Sequence, residues 1–96
     1  MLKFIEIIRR AREYDPESGT CEFVTTLSEV YINPDYIVSM KANDSLKQEF
    51  LKRPFIDGMS KELEFTEVTV DHSGRAPYVV NVVDNVENIV NNIKKE

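Results

Sequence analysis

Three clusters of turn-forming residues cut this chain into short apolar runs and constrain its fold more than any other feature. They are Asp15-Pro16-Glu17-Ser18-Gly19, Asn33-Pro34-Asp35 and Asp71-His72-Ser73-Gly74-Arg75-Ala76-Pro77. Proline presets one turn dihedral, glycine accepts positive φ, and Asp or Asn side chains accept hydrogen bonds from nearby amides. The runs between the clusters are rich in Ile, Val, Phe and Thr, whose branched and aromatic side chains pack well on a pleated surface. Short runs of this kind joined by tight turns predict an antiparallel sheet.

Residues 2–8 fit either period, since Met1, Phe4, Ile5 and Ile8 make a helical stripe while Phe4 and Ile8 flank Glu6 in alternation. Their isoleucine content favours a strand running on towards Tyr14. Cys21 to Leu27 returns as its hairpin partner, with Cys21, Phe23 and Thr25 on one face. Glu29 to Ile32 reads as a separate short strand ended by Asn33-Pro34-Asp35, and Tyr36 to Ala42 as the next, with Tyr36, Val38 and Met40 on one side. Leu63 to Val70 changes parity, because Leu63 and Phe65 are odd while Val68 and Val70 are even. That predicts a bulge near Thr66 or burial on both faces. Tyr78 to Val83 closes the last hairpin.

Two helices are expected. Asn43 or Asp44 caps a short one from Ser45 to about Lys52, with Leu46 and Phe50 on one face, and Arg53-Pro54 ends it. The second spans 85–95: Asp84 caps it, Glu87 stands three residues on as in a capping box, and Val86, Ile89, Val90 and Ile93 form its apolar stripe. The stretch 43–61 reads as an excursion inserted between two strands. It carries Leu46, Phe50, Leu51, Phe55, Ile56 and Met59 on a connection longer than the usual limit of roughly 12–15 residues. Those six residues either cover an open part of the sheet or present an apolar surface to a partner.

Lys3-Phe4-Ile5-Glu6-Ile7, Val30-Tyr31-Ile32-Asn33-Pro34-Asp35-Tyr36-Ile37-Val38-Ser39-Met40 and the closing Val82-Val83-Asp84-Asn85-Val86-Glu87-Asn88-Ile89-Val90 follow one another in a distinctive order. Over about half the chain this pattern resembles the small flagellar FlbD/SwrD-type proteins and short proteins of bacteria and their phages. The resemblance implies a curled antiparallel sheet closed by a C-terminal helix, and a bacterial or phage origin. The 43–61 excursion and the long first hairpin are additions to that pattern, and the ending here is poorer in glutamate. The resemblance carries over no catalytic residue and implies no flagellar role.

The chain has 96 residues, a length that makes one domain, 1–96, with one modest core. One cysteine provides no disulfide framework and no multi-cysteine zinc site. Glu6 interrupts the apolar start and no stretch approaches a membrane span, so a cytoplasmic location away from any membrane is expected. Seventeen acidic residues against twelve basic ones give a net charge of −5, which opposes nucleic-acid binding unless basic groups cluster. Arg9, Arg10 and Arg12 do cluster, with Lys52 and Arg53 as possible additions; Glu6, Glu13 and Asp15 stand close enough to neutralise the run.

Catalytic chemistry finds little footing. Asp71-His72-Ser73 contains the residue types of a hydrolase triad, but adjacent side chains diverge and cannot form the relay. His72, the only histidine, with Asp71 falls short of the ligands a metal needs. Cys21 would need a base beside it, for which His72 is the sole histidine candidate, and reads instead as a small half-buried packing residue; the three glycines are isolated, and Glu62, Glu64 and Glu67 read as solvated charge. No cofactor, metal or small-molecule ligand is inferred.

The expectation is therefore an α+β domain of about five antiparallel strands in a bent, barrel-like sheet, with a C-terminal amphipathic helix and a short inserted one. Its expected role is a non-catalytic, self-associating binding or assembly module that uses the apolar surface at 46–59 or a sheet edge. The alternative is a nucleic-acid-binding regulator using Arg9, Arg10 and Arg12.

Overall fold

A computed structural model describes residues 1–15, 17, 19–52 and 62–95, with the backbone alone described at 11–15 and 20–23. In chain order the elements are β1 (Leu2–Asp15), β2 (Thr20–Ile32), a 3-10 turn at Pro34–Tyr36, β3 (Ile37–Ala42), α1 (Asp44–Lys52), β4 (Phe65–Val70), β5 (Tyr78–Val83) and α2 (Val86–Lys94). The strands form one antiparallel sheet in the order β2-β1-β5-β4-β3, and the class is α+β.

The first hairpin is longer than the sequence suggests. Ser28 does not break the returning strand, because it pairs with Glu6 inside an unbroken register from Leu2↔Ile32 to Ala11↔Phe23. The expected pair of strands is one strand, β2. At about 3.3 Å per residue, β1 spans roughly 46 Å, which accounts for the longest dimension of the molecule, 50 Å.

Residues directly opposite one another share a face of the sheet, and successive residues alternate. Glu6 stands opposite Val82, Val68 opposite Val80, and Phe65 opposite Val83. One face therefore carries Phe4, Ile32, Val68, Val70, Val80 and Val82, which pack with Ile89 and Ile93 of α2. The other carries Ile7, Phe65 and Val83, which pack with Leu46 and Phe50 of α1. The two helices cover opposite faces.

The parity change in β4 is thus burial on both faces. β4 keeps an uninterrupted register with β5 from Phe65 to Val70, so no bulge interrupts that pairing at Thr66. Thr66 is buried on the α2 side, where its hydroxyl donates to the Asp84 carbonyl at 2.7 Å. The irregularity lies in β3, where the register shifts between Ile37 and Ser39 and leaves Val38 as an extra residue. That shift overturns the expected alternation: Ile37 and Met40, of opposite parity, both pack on the α2-side core.

The sheet is bent, but it is not a closed barrel. Ile32 ends one edge strand and Ile37 begins the other. The five residue steps between them reach at most about 18 Å when fully extended, and the 3-10 turn at Pro34–Tyr36 shortens them further, whereas five strands laid flat are about 19 Å across. The bend brings these ends together. β2 and β3 nevertheless form no ladder, and both faces are already taken by helices, whereas a barrel would enclose one of them.

Helix α2 is capped one residue later than expected. The Asn85 side chain accepts from Asn88 N–H at 2.7 Å, so Asn85, and not Asp84, is the N-cap. Asp84 ends the β5 side of the junction, where its carboxylate accepts from Asn85 N–H and from the Asn88 amide. Glu87 is therefore not the reciprocal member of a capping box. Asn43 caps α1, its Oδ1 accepting from Leu46 N–H at 3.1 Å.

Candidate association surface

The apolar residues of the excursion separate into different roles. Phe50 is fully buried, edge-on to Phe65 with ring centroids 5.6 Å apart, and Leu46 packs beside them. These two cover the sheet; Phe50 does not reach the surface where a partner would meet it. Leu51 is 42% exposed on the far side of α1. Phe55, Ile56 and Met59 lie outside the described residues.

The basic run is also divided. Arg9 and Arg10 are neighbours on a strand and point to opposite faces. Arg9 turns to the α1 side and makes an ion pair and hydrogen bond with Glu49, tying β1 to the helix. Arg10 is exposed on the other face, the side chain of Arg12 and all of Arg53 lie outside the described residues, and Lys52 is exposed at the end of α1. The described members of the run do not converge on one surface.

His72 sits between two tyrosines. Its ring lies 4.3 Å from Tyr36 and 5.9 Å from Tyr78, nearly parallel to the latter, and Nε2 is 3.3 Å from the Tyr78 hydroxyl. The ring is thus engaged with aromatic neighbours at the β4–β5 loop. A cleft of about 360 Å³ opens between the starts of α1 and α2, lined by Asn43, Asp44, Lys47, Glu64 and Glu87 among others. Lys47 donates to the Leu63 carbonyl at its wall. Among the described residues no group of three or more His, Cys, Asp or Glu is placed to hold a metal ion. No described helix is long and apolar enough to cross a membrane.

The two sheet edges differ sharply. β3 is six residues long, carries the extra residue Val38, and bears Lys41, which pairs with Glu67 on β4 at 3.3 Å. Short length, a bulge and an edge lysine are the usual devices that keep an edge from pairing with another chain. β2 has none of them. It runs for thirteen residues without proline, lysine or arginine, and among the described residues it pairs only with β1. Val24, Leu27 and Tyr31 are exposed along it, Leu27 to 42%. Glu29 is held by Lys3 of β1 at 3.1 Å; the hydrogen bond and charge of Glu29, with a further contribution from Tyr31, raise the Lys3 pKa above its ordinary value.

The length of β2 was hidden in the sequence by Ser28-Glu29, two residues of modest strand preference that read as a break. The signal that could have revealed it is the matching length of the run 2–14 opposite. No family model, no curated protein and no solved structure matches this chain.

Proposed function

We propose that this chain is a small non-catalytic binding and assembly module that engages its partner through the free edge of β2. The observation that carries the reading is the asymmetry of the sheet. One edge is short, bulged and lysine-bearing, while the other is a thirteen-residue strand whose outward backbone donors and acceptors, on alternate residues, meet no further strand among the described residues. Addition of a strand to such an edge is a general mode of recognition, with main-chain hydrogen bonds giving affinity and alternate side chains giving specificity. A single cysteine suits a reducing compartment such as the cytoplasm.

Ser28 on β2 and Ser39 on β3 are both exposed and provide a matched test. A photoreactive residue is placed at each position in turn, and the protein is irradiated both purified and in cell extract. Adducts are expected from position 28 and not from position 39. Absence of adducts at 28, or equal yields at both positions, overturns the edge reading.

A further inference from the structure

We infer that the partner on the β2 edge is a second copy of this chain, paired antiparallel about a two-fold axis through Leu27. The inference rests on the edge reading above and names its occupant. An antiparallel pair of identical edge strands has its two-fold axis normal to the joined sheet, so one residue stands opposite itself and the others pair symmetrically around it. Only a few centres are available along β2, and the side chains discriminate between them.

Centred on Leu27, the register sets like against like. Leu27 faces the partner's Leu27, Thr26 faces the partner's Ser28, and Val24 faces the partner's Val30. Aliphatic pairs and hydroxyl pairs are favourable directly opposite one another on a sheet. Thr25 faces the partner's Glu29, whose charge is already compensated by Lys3 within its own hairpin. Residues 22–32 overlap. Moving the centre by one residue to Thr26 sets Leu27 against the partner's Thr25 and Val24 against the partner's Ser28. Moving it to Ser28 sets Leu27 against the partner's Glu29, and moving it to Glu29 sets two carboxylates directly opposite, which is destabilising. Leu27 is the one centre of these four that covers the exposed aliphatic residues Val24 and Leu27 with apolar partners.

Such a contact is long but only one strand deep. It buries less than the roughly 800 Å² per partner of a standard interface, so the dimer dissociates in the micromolar range. Each chain carries a net charge of −5. The copies therefore repel at long range, and added salt strengthens the dimer by screening that repulsion.

Single cysteines in a Cys21→Ser background test both partner and register. Directly opposite Cα atoms lie about 4.5–5.5 Å apart, within disulfide reach. Leu27→Cys is therefore expected to form a symmetric intermolecular disulfide. Val24→Cys alone is not, because the two copies of that position stand about 20 Å apart along the strands. The double variant Val24→Cys/Val30→Cys cross-links again. In the associated state the Leu27→Cys reaction should exceed that of Val24→Cys by about a hundredfold. Sedimentation of the unmodified protein should show a monomer–dimer equilibrium that tightens with salt. A protein that stays monomeric, with Leu27→Cys no faster than Val24→Cys, overturns the self-pairing. If position 28 still yields adducts with other proteins in extract, the edge reading survives that loss. Dimers that cross-link equally at all positions overturn the register. Leu27 is exposed enough for its replacement to leave the fold intact, which circular dichroism of the reduced variants checks.

Discussion

Asn43 donates from its amide nitrogen to Asn81 Oδ1 at 3.0 Å, joining the first turn of α1 to a strand in the interior of the sheet. Its own Oδ1 caps the helix through Leu46 N–H, and its backbone N–H donates to the Phe65 carbonyl at 2.8 Å. One residue thus ends β3, starts α1 and fixes the helix over the face that Phe50 must cover. Among the common capping residues, asparagine alone supplies the acceptor for the cap and the donor for a second partner from two different atoms.

That dual use separates two substitutions. Asn43→Asp keeps a capping oxygen and loses the donor to Asn81, at a cost of about 1 kcal/mol. Asn43→Ala loses the cap as well, for a total of about 2 kcal/mol. Urea unfolding of the two variants should rank wild type, Asp and Ala in that order. Equal midpoints for Asp and Ala would show that the cap contributes nothing.

Phe50 and Leu51 are neighbours with opposite fates. Phe50→Ala empties the site against Phe65 and Ile7 and should cost about 3–5 kcal/mol. Leu51→Ala, on the exposed side, should stay within about 0.5 kcal/mol. Thermal unfolding distinguishes these outcomes, and comparable losses at the two positions would refute the placement of α1.

The Lys3–Glu29 pair sets a pH dependence at the alkaline end. The folded pKa of Lys3 is raised above 10.5, so the pair's contribution is fully present at neutral pH. It is lost as pH rises above 10.5 and through the folded value. Wild type and Lys3→Gln should therefore converge in stability at strongly alkaline pH. A gap that persists unchanged there contradicts an ionic origin. Both partners are solvent-exposed, so high salt should narrow the gap as well.

Arg9 is committed to Glu49 and Arg10 faces the other way, so this acidic protein should retain neither DNA nor RNA in a low-salt gel-shift assay. A retained complex that weakens steeply as salt is added would restore the nucleic-acid reading.

Much of the local structure was legible in the residues themselves. The turn at Asn33-Pro34-Asp35 and the short helix after Asn43 are set by proline, capping and side-chain hydrogen bonds that act within a few positions. The apolar stripe of α2 is equally local, although its cap falls on Asn85 because Asp84 is held at the end of β5 by Thr66. The candidate site was only half legible. The sequence pointed first to the apolar excursion at 43–61 and offered a sheet edge only as a second way to associate.

Pairing across the sheet decided what remained. Alternation shows that Phe65 and Val68 belong to different faces of β4, but only the arrival of Phe50 on one side and Ile89 on the other makes both faces interior. Strand order is equally non-local. β5 inserts between β1 and β4, which leaves β2 on the outside with a full-length edge. The sequence alone marked most of the strand and helix segments, although it split β2 in two, and showed that the chain contains apolar surface in need of cover. The tertiary structure decided which of that surface the chain covers itself, because cover depends on contacts between segments far apart in sequence. It turned Phe50 inward and left Leu27 exposed on an edge strand.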